Sequence, residues 1–303
     1  MTFNLIVILG PTASGKTKLA ARLAIDRGSE IISADSRQVY RGMDIGTGKD
    51  FGEYIVDGLT VPYHLIDIVD PDYEFSVFDY QVHFSRVFND ISSRGIVPIM
   101  VGGTGLYIEA AIEGYRLLEV PENPSLRQEL EMEDMEELRN RLVQLRSAVH
   151  NTTDLLERKR LVRAIEIAEY TRDHSYPQSH FPSITALVVG IRWGRSILRE
   201  RITDRLNARL NAGMIEEVQR LYQSGIGWEK LNFFGLEYRY VGLYLRGLMS
   251  YTEMFQKLNT RIHQFAKKQE TWFRRMEKKG TTIHWTNGDD YGIAAEIVKG
   301  LIK

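Results

Sequence analysis

The segment Gly10–Thr17, with the sequence GPTASGKT, constrains the fold of this chain more than any other feature. It fits the pattern G-x-x-x-x-G-K-[ST], it follows an apolar, β-branched run at Leu5–Leu9, and a helical pattern comes after it. Strand, glycine-rich loop and helix in this order are typical of a P-loop, whose backbone N–H groups and helix N-terminus surround a phosphate. The predicted phosphate-binding residues are Gly10, Pro11, Thr12, Ala13, Ser14, Gly15, Lys16 and Thr17.

Two side chains of this loop have chemistry of their own. Lys16 brings a positive charge to the phosphate, and the Thr17 hydroxyl is suited to hold Mg²⁺. The motif alone leaves open which phosphate compound is bound and whether a phosphoryl group is transferred. The seven histidines have no spacing typical of zinc ligands, so no zinc site is predicted.

The composition excludes several classes of protein. The 303 residues are 43% hydrophobic and include no cysteine, so we expect a globular protein without disulfides or thiolate chemistry. A formal net charge of −1 argues against a protein that coats nucleic acid, although the basic stretch Phe255–Lys279 allows a local polyanion site. No apolar run approaches the roughly 18 residues needed to span a membrane, and no targeting signal is present. We therefore expect a cytoplasmic protein without a membrane partner.

Strand and helix patterns alternate along the first third of the chain. Strands are predicted at Leu5–Leu9, Glu30–Ala34 and Ile96–Val101, with a helix at Val77–Ser93. This alternation is typical of a parallel sheet with helices on its faces. A further apolar run at Ile184–Ile191 predicts another buried strand, so the helical pattern before it is expected to be an insertion.

We predict an α/β protein with a P-loop NTPase-like parallel sheet flanked by helices. Residues 1–120 and 184–303 are expected to form its core, which includes long C-terminal helices at about 196–224 and 252–279. Residues 121–183 are expected to form a helical insertion domain.

Glycines or polar residues follow three of the predicted strands. They are the P-loop, Asp35 with Ser36, and Gly102–Gly105, and we expect them to share one cleft because ligands of parallel sheets bind beyond the strands' carboxyl ends. Asp35 would suit a general base, an Mg²⁺ ligand or a helix cap, whereas Ser36 and Gln38 could read the edge of a base. The glycines allow either close approach of a ligand or simply a tight turn.

Two groups of basic residues each allow two interpretations. Arg201, Arg205 and Arg209 recur at spacing four on one predicted helix. They form a solvated face, or they place an arginine in the phosphate pocket, where a guanidinium suits diphosphate oxygens. The segment Lys159–Arg163 is likewise either a solvated helix face or a surface for a nucleic acid backbone.

An apolar stripe on the last long helix predicts core packing rather than a cofactor site. Gln269 occupies the gap in this stripe. Its members are Phe255, Leu258, Ile262, Phe265, Trp272 and Met276.

Taken together, the motifs closely resemble those of the tRNA dimethylallyltransferases, also called tRNA isopentenyltransferases. The resemblance lies in five blocks, which occur in the family's order and span nearly the whole chain. These blocks are Gly10–Thr17, Ser33–Lys49, Gly102–Tyr107, Arg160–Glu166 and Ala266–Arg274.

The resemblance implies a prenyl transfer in which the P-loop holds a diphosphate and no phosphoryl group moves. The dimethylallyl group would pass from dimethylallyl diphosphate to the exocyclic amine of the adenosine on the 3′ side of the tRNA anticodon. The products would be N6-isopentenyladenosine and diphosphate. The implied partners are Mg²⁺, dimethylallyl diphosphate and the anticodon stem-loop of tRNA, and we expect a monomer.

The resemblance also implies a role for individual residues. Asp35 would be the general base, Thr104 would hold the reacting adenine, and Arg205 would bind the leaving diphosphate together with Lys16 and Thr17-bound Mg²⁺. The positions that match tRNA contacts of the family are Asp35, Ser36, Arg37, Gln38, Thr104, Arg127, Lys159, Arg160, Leu161, Val162 and Arg163.

The chain departs from the family pattern in two places. The usual V-G-Y-R-Q is replaced by the segment Phe234–Tyr240, and no D-P-x-x-A-x-x-I-H occurs between Arg127 and Arg160, where only His150–Asp154 is comparable. Three other functions remain open: a P-loop kinase of a small metabolite or nucleoside, an adenylate isopentenyltransferase that acts on free AMP or ATP, and an RNA-binding module without the reaction.

Overall fold

A computed structural model of the chain describes residues 3–115, 117–145, 157–174 and 181–301. The chain folds into two compact units. The first comprises Met1–Gly114 and Pro182–Lys303, and the second comprises Tyr115–Phe181. The segment His150–Asp154, which the sequence compares with a family motif, lies outside the described residues.

Within the described part of the first unit, six strands form one parallel sheet in the order β5-β2-β6-β1-β7-β8. A separate antiparallel pair is formed by β3 and β4. The strands are β1 (Leu5–Leu9), β2 (Ile31–Ala34), β3 (Ile55–Val56), β4 (Leu59–Thr60), β5 (Tyr63–His64), β6 (Ile99–Gly102), β7 (Ala186–Arg192) and β8 (Ile283–Asn287).

Helices cover this sheet, which confirms the predicted α/β class. The helix predicted at about Val77–Ser93 is observed with these bounds, and Ser76 and Asp79 form a capping box at its start. The helices of the first unit are α1 (Lys16–Arg27), α2 (Val77–Ser93), α3 (Gly105–Glu113), α7 (Arg195–Asn211), α8 (Met214–Gln223), α9 (Trp228–Phe233), α10 (Leu236–Leu245), α11 (Tyr251–Lys278) and α12 (Tyr291–Leu301).

The central strand β1 shows that the sheet is buried on both faces. All five of its residues are apolar and fully buried, between β6 on one side and β7 on the other. Leu9 and Ala34 both pair with Gly102, so β1, β2 and β6 end at the same level. The segments that follow these three strands therefore meet at one edge of the sheet, as predicted.

The edge strand β5 is short and is fixed by an ion-pair cluster. His64 contacts Glu30 at 2.7 Å, and Glu30 is also paired with Arg94 at the end of α2. The hydrogen bonds from Arg94 lower the pKa of Glu30 to about 2, although burial alone would raise it. Two residues of strand give too weak a pattern to be predicted, and the sequence had assigned no strand here.

The apolar stripe predicted for α11 is only partly correct. Phe265 is 45% exposed, whereas the buried positions include Met254, Ala266 and Phe273. The buried face follows the true helical period through the small Ala266, and Phe265 lies beside that face. The side chain of Phe265 is therefore available to a ligand.

The second unit contains three described helices around a leucine-rich core. They are α4 (Pro124–Glu131), α5 (Met135–Leu145) and α6 (Arg158–Asp173). Its buried cluster includes Leu126, Leu130, Leu138, Leu142, Leu161 and Ile165. None of the helices in the described parts of the chain has the length and apolar character needed to cross a membrane.

Candidate active site

A cavity of about 250 Å³ lies at the edge of the sheet where β1, β2 and β6 end. The P-loop, α7, α11 and the start of α10 also contribute to its walls. Five residues with a predicted role in the reaction line it together: Lys16, Thr17, Asp35, Thr104 and Arg205.

The P-loop is held by partners from distant parts of the first unit. Gly15, at φ +87°, occupies the left-handed conformation that begins the turn into α1. The carbonyl of Ser14 accepts a hydrogen bond from the Trp193 indole at 3.0 Å, and that of Ala13 accepts one from Arg201 at 2.9 Å. Arg201 of the predicted arginine stripe thus supports the loop backbone.

Gln269 of α11 connects the P-loop to the glycine-rich turn after β6. Its carboxamide oxygen accepts a hydrogen bond from the N–H of Thr12 at 2.8 Å, and its amide donates one to the carbonyl of Gly103 at 3.0 Å. Both contacts are buried or partly buried. The sequence had noted this residue as a gap in an apolar stripe and as part of the block Ala266–Arg274, but it had given Gln269 no role of its own.

Lys16 lies in a strongly cationic environment. Burial, and then the positive charge of Arg205, lower its pKa to about 8, while the carboxylate of Asp35 acts in the opposite direction. An anion bound at the P-loop would oppose both effects, because its negative charge favours the protonated form of Lys16. The environment is therefore one that favours a phosphate or diphosphate group.

A second cavity, of about 230 Å³, shares Lys16, Thr17 and Arg205 with the first and is also lined by Glu53. Glu53 lies near Thr17, whose hydroxyl acts to lower the pKa of the Glu53 carboxyl. Burial, and then the negative charge of Asp50, raise the pKa of Glu53. The sequence did not single out Glu53, because it lies in a short 3₁₀ turn without a motif.

Asp35 and Thr104 are joined through the loop that follows β2. Asp35 Oδ1 accepts a hydrogen bond from the N–H of Arg37 at 2.9 Å, and Thr104 Oγ1 accepts one from the N–H of Ser36 at 3.1 Å. The backbone of Thr104 in turn donates to the carbonyl of Ala34 at 3.2 Å. The carboxylate and the hydroxyl are thus held on adjacent strand ends in one cavity.

Gln38 also lines the cavity, but its side chain already has two partners. Its carbonyl oxygen accepts a hydrogen bond from Ser33 Oγ at 3.1 Å, and its amide donates to the carbonyl of Gly48 at 3.0 Å. Gln38 therefore fixes the loop Asp44–Lys49 against β2.

The loop Asp44–Lys49 forms a wall of the cavity and is anchored by buried charges. Glu217 on α8 accepts hydrogen bonds from the N–H groups of Asp44, Ile45 and Gly46 at 2.7–3.0 Å. Lys49 is fully buried and donates to the carbonyl of Tyr40 and to the carboxylates of Asp44 and Asp67. Contacts within the protein therefore define the shape of this loop.

Arg205 connects α7 to the P-loop and to this wall. It donates to Thr12 Oγ1 at 3.1 Å and forms an ion pair with Asp50. Burial alone would raise the pKa of Asp50, but the charges of Arg205 and Arg209 lower it. Arg205 therefore lies in the cavity beside the P-loop rather than on a solvated helix face.

The basic residues predicted to contact tRNA in the second unit fall into two groups. Arg127 forms a two-pronged ion pair with the buried Glu166 at 2.8 and 2.9 Å, and Arg163 contacts Glu166 at 3.0 Å and the carbonyl of Val120 at 2.6 Å. These guanidiniums stabilise the fold of the unit. By contrast, Lys159 and Arg160 are exposed.

Two apolar positions were also predicted to contact tRNA. The side chain of Leu161 is completely buried in the core of the second unit, so a contact through that side chain is ruled out. Val162 is partly buried against the same core.

Comparison with known proteins was made against family models, individual relatives and solved structures. The model of the family described as IPP transferase matches residues 38–276, and that described as isopentenyl transferase matches residues 3–60. This chain belongs to the IPP transferase family. It is 60% identical over 304 residues to tRNA dimethylallyltransferase 1 of Syntrophus aciditrophicus, with 100% of both chains covered.

Two solved structures are similar to this chain. A full-length tRNA isopentenylpyrophosphate transferase from Bacillus halodurans is 32% identical, with 98% of this chain and 97% of that chain covered and a TM-score of 0.68. A eukaryotic dimethylallyltransferase acting on tRNA is 21% identical and has a TM-score of 0.74, which shows the shared fold. Membership of the family argues strongly against the kinase hypothesis.

Proposed function

We infer that this protein transfers a dimethylallyl group from dimethylallyl diphosphate to the exocyclic amine of the adenosine 3′ to the anticodon of tRNA. The observation that carries this inference is the single cavity lined by Lys16, Thr17, Asp35, Thr104 and Arg205. It combines cations for a diphosphate with a carboxylate and a hydroxyl for an amine, and the chain belongs to the IPP transferase family.

The cationic side of the cavity would stabilise the leaving group. As the bond between the allylic carbon and the diphosphate oxygen breaks, the electron pair goes to the diphosphate, whose negative charge increases. Lys16, Arg205 and the P-loop N–H groups are fixed before the reaction, so they stabilise this charge more in the transition state than in the ground state.

Asp35 and Thr104 would act on the acceptor. The adenine nitrogen forms the new bond to the allylic carbon and gives its proton to the Asp35 carboxylate. The Thr104 hydroxyl, held against the loop after β2, would position the base. The adenine must leave its stack in the anticodon loop to enter the cavity, and loops of single-stranded RNA permit this.

Mg²⁺ is suited to the P-loop side of the site. The Thr17 hydroxyl and the Glu53 carboxylate are hard oxygen ligands next to the proposed diphosphate position. Among the described residues no cluster of three acidic, histidine or cysteine side chains forms a metal site, but Mg²⁺ commonly takes most of its ligands from phosphates and water. When bound, the ion would neutralise charge on the diphosphate.

We assign the tRNA contacts of the second unit to Lys159 and Arg160 rather than to Arg127 and Arg163. The first two side chains are exposed, whereas the last two are engaged by Glu166. We further propose that the protein acts as a monomer in the cytoplasm, where its tRNA substrate is found.

The test is one incubation of the purified protein with Mg²⁺, dimethylallyl diphosphate and unmodified tRNA, followed by mass spectrometry of the nucleosides. A prenyl mass on the adenosine 3′ to the anticodon is expected. Prenylation of AMP in a parallel reaction, with none on tRNA, would instead assign the protein to the enzymes of free nucleotides. The absence of both products would contradict the proposal.

A further inference from the structure

Arg209 lines the active cavity one helical turn beyond Arg205, but the reaction described above gives it no role. Its side chain is only 11% exposed. Its guanidinium lies 3.6 Å from Asp50 and 3.8 Å from Glu237, which are longer than the roughly 2.7–3.2 Å of a direct hydrogen bond. In the described part of the chain, its buried Nε has no hydrogen-bond partner. The guanidinium N–H groups of Arg209 can therefore bind a further hydrogen-bond acceptor.

The guanidiniums of Arg205 and Arg209 approach the same point on the cavity wall. A Cβ atom at Gly48 would lie 1.5 Å from Nη2 of Arg209 and 2.8 Å from Nη2 of Arg205. Gly48 itself has φ +66°, so both its conformation and its missing side chain permit this convergence. Two cations this close repel each other, which favours a further anion beside them in addition to the Asp50 carboxylate that they share.

The charges around Arg209 favour the binding of an anion. Burial, and then the positive charge of Arg205, lower the pKa of Arg209, whereas burial raises the pKa of Glu237. Asp50 is shared between the two arginines. A ligand with several anionic oxygens would give both guanidiniums direct partners.

We propose that Arg209 is a second diphosphate-binding arginine of this cavity, and that Asp50 and Glu237 hold its guanidinium in place before the donor binds. This inference rests on the proposed function, because it takes the ligand of the P-loop to be a prenyl diphosphate. Glu237 belongs to the segment Phe234–Tyr240, which departs from the family pattern. Its pairing with Arg209 gives a reason for a carboxylate at that position.

The test measures binding of inorganic pyrophosphate with Mg²⁺ by calorimetry to the wild type, Arg209→Gln and Arg209→Lys. Arg209→Gln is expected to weaken binding roughly tenfold to hundredfold, since it removes charge-assisted hydrogen bonds. Arg209→Lys keeps the charge but not the planar fork, so an intermediate loss is expected. Arg199→Gln, an exposed position on the same helix, is the matched control and should bind like the wild type.

The double variant Arg209→Gln/Glu237→Gln separates ligand binding from charge balance. It removes both members of the pair and should recover thermal stability lost in Arg209→Gln, but it should not recover pyrophosphate affinity. Recovery of both, or wild-type affinity in a folded Arg209→Gln, would overturn the role of Arg209. Failure of the wild type to bind pyrophosphate would overturn the diphosphate site as a whole, which is a distinguishable result.

Discussion

The carboxamide of Gln269 accepts a hydrogen bond from the backbone N–H of Thr12, 257 positions earlier in the chain. Because the same side chain also donates to Gly103, the spacing between the P-loop and the turn after β6 depends on α11. One buried amide therefore fixes two walls of the cavity.

Replacement of Gln269 by Ala is expected to affect both stability and donor binding. It leaves a buried N–H and a buried carbonyl without partners, at a cost of about 2–4 kcal/mol in the free energy of unfolding. Pyrophosphate affinity measured by calorimetry should fall as the P-loop loses its support. Gln256→Ala, at an exposed position of the same helix, is the control. An unchanged melting temperature for Gln269→Ala would show that this connection is not important.

Replacement of Asp35 by Asn tests the general base. Asn keeps the oxygen that accepts from the N–H of Arg37, so the loop should keep its shape, but it cannot take the proton of the amine. We expect turnover to fall by roughly 10²- to 10⁴-fold with tRNA affinity nearly unchanged. Single-turnover kinetics and filter binding measure the two quantities, with the exposed Asp70→Asn as control. Equal losses of turnover and affinity would contradict the assigned role.

Replacement of Arg127 by Ala should destabilise the second unit. It leaves the buried carboxylate of Glu166 with Arg163 and the N–H of Asn123 as its remaining partners. Since Arg127 is itself partly exposed, the expected cost is about 1–3 kcal/mol in unfolding free energy, measured by urea denaturation. Arg160→Ala is the control and should leave the midpoint almost unchanged, because its ion pair with Glu157 is exposed.

Neutralisation of Lys159 and Arg160 should weaken tRNA binding through the phosphate backbone. Substitution of both by Gln is expected to reduce the slope of log affinity against log salt concentration by roughly one to two, because fewer counterions are released on binding. The exposed pair Lys257 and Arg261 on α11 provides a comparison of equal charge. A slope identical to that of the wild type would remove Lys159 and Arg160 from the interface.

The ion-pair cluster of Glu30, His64 and Arg94 predicts a loss of folding stability in acid. The pKa of Glu30 in the folded protein is about 2, below its ordinary value of 4.5. Its contribution is thus fully present above about pH 4.5 and is lost as the pH falls toward 2. Glu30→Gln should lower stability at pH 7 by about 1–2 kcal/mol, a figure reduced by the exposure of Arg94, and should flatten the acid limb of stability against pH. An acid limb as steep as that of the wild type would contradict this account.

The parts of the fold that sequence could predict are those with strong local signals. The P-loop, β1 and α2 each carry their pattern within fewer than twenty residues, as a glycine motif, an apolar run or a helical pattern. The carboxyl ends of the parallel strands then placed Asp35 and Thr104 near the P-loop by topology alone.

The parts that could not be predicted depend on partners remote in sequence. A glutamine in a helical stripe does not reveal that Thr12 is its partner, and Glu53 has no motif around it. Arg127 carries the same charge as an RNA-binding arginine, but Glu166 on another helix engages it. The apolar pattern of α11 predicted that Phe265 is buried, whereas the neighbouring Ala266 takes that place, because a small residue carries a weaker apolar signal than an adjacent phenylalanine.

The anchoring of Asp44, Ile45 and Gly46 by Glu217 has a consequence for the protein during its synthesis. The carboxylate that shapes this loop emerges from the ribosome 171 to 173 residues after the amides that it binds. A nascent chain thus carries the P-loop and Asp35 long before their geometry can be established. Catalytic competence is therefore expected late in synthesis, and a chain that ends before Glu217 is expected to be inert rather than partly active.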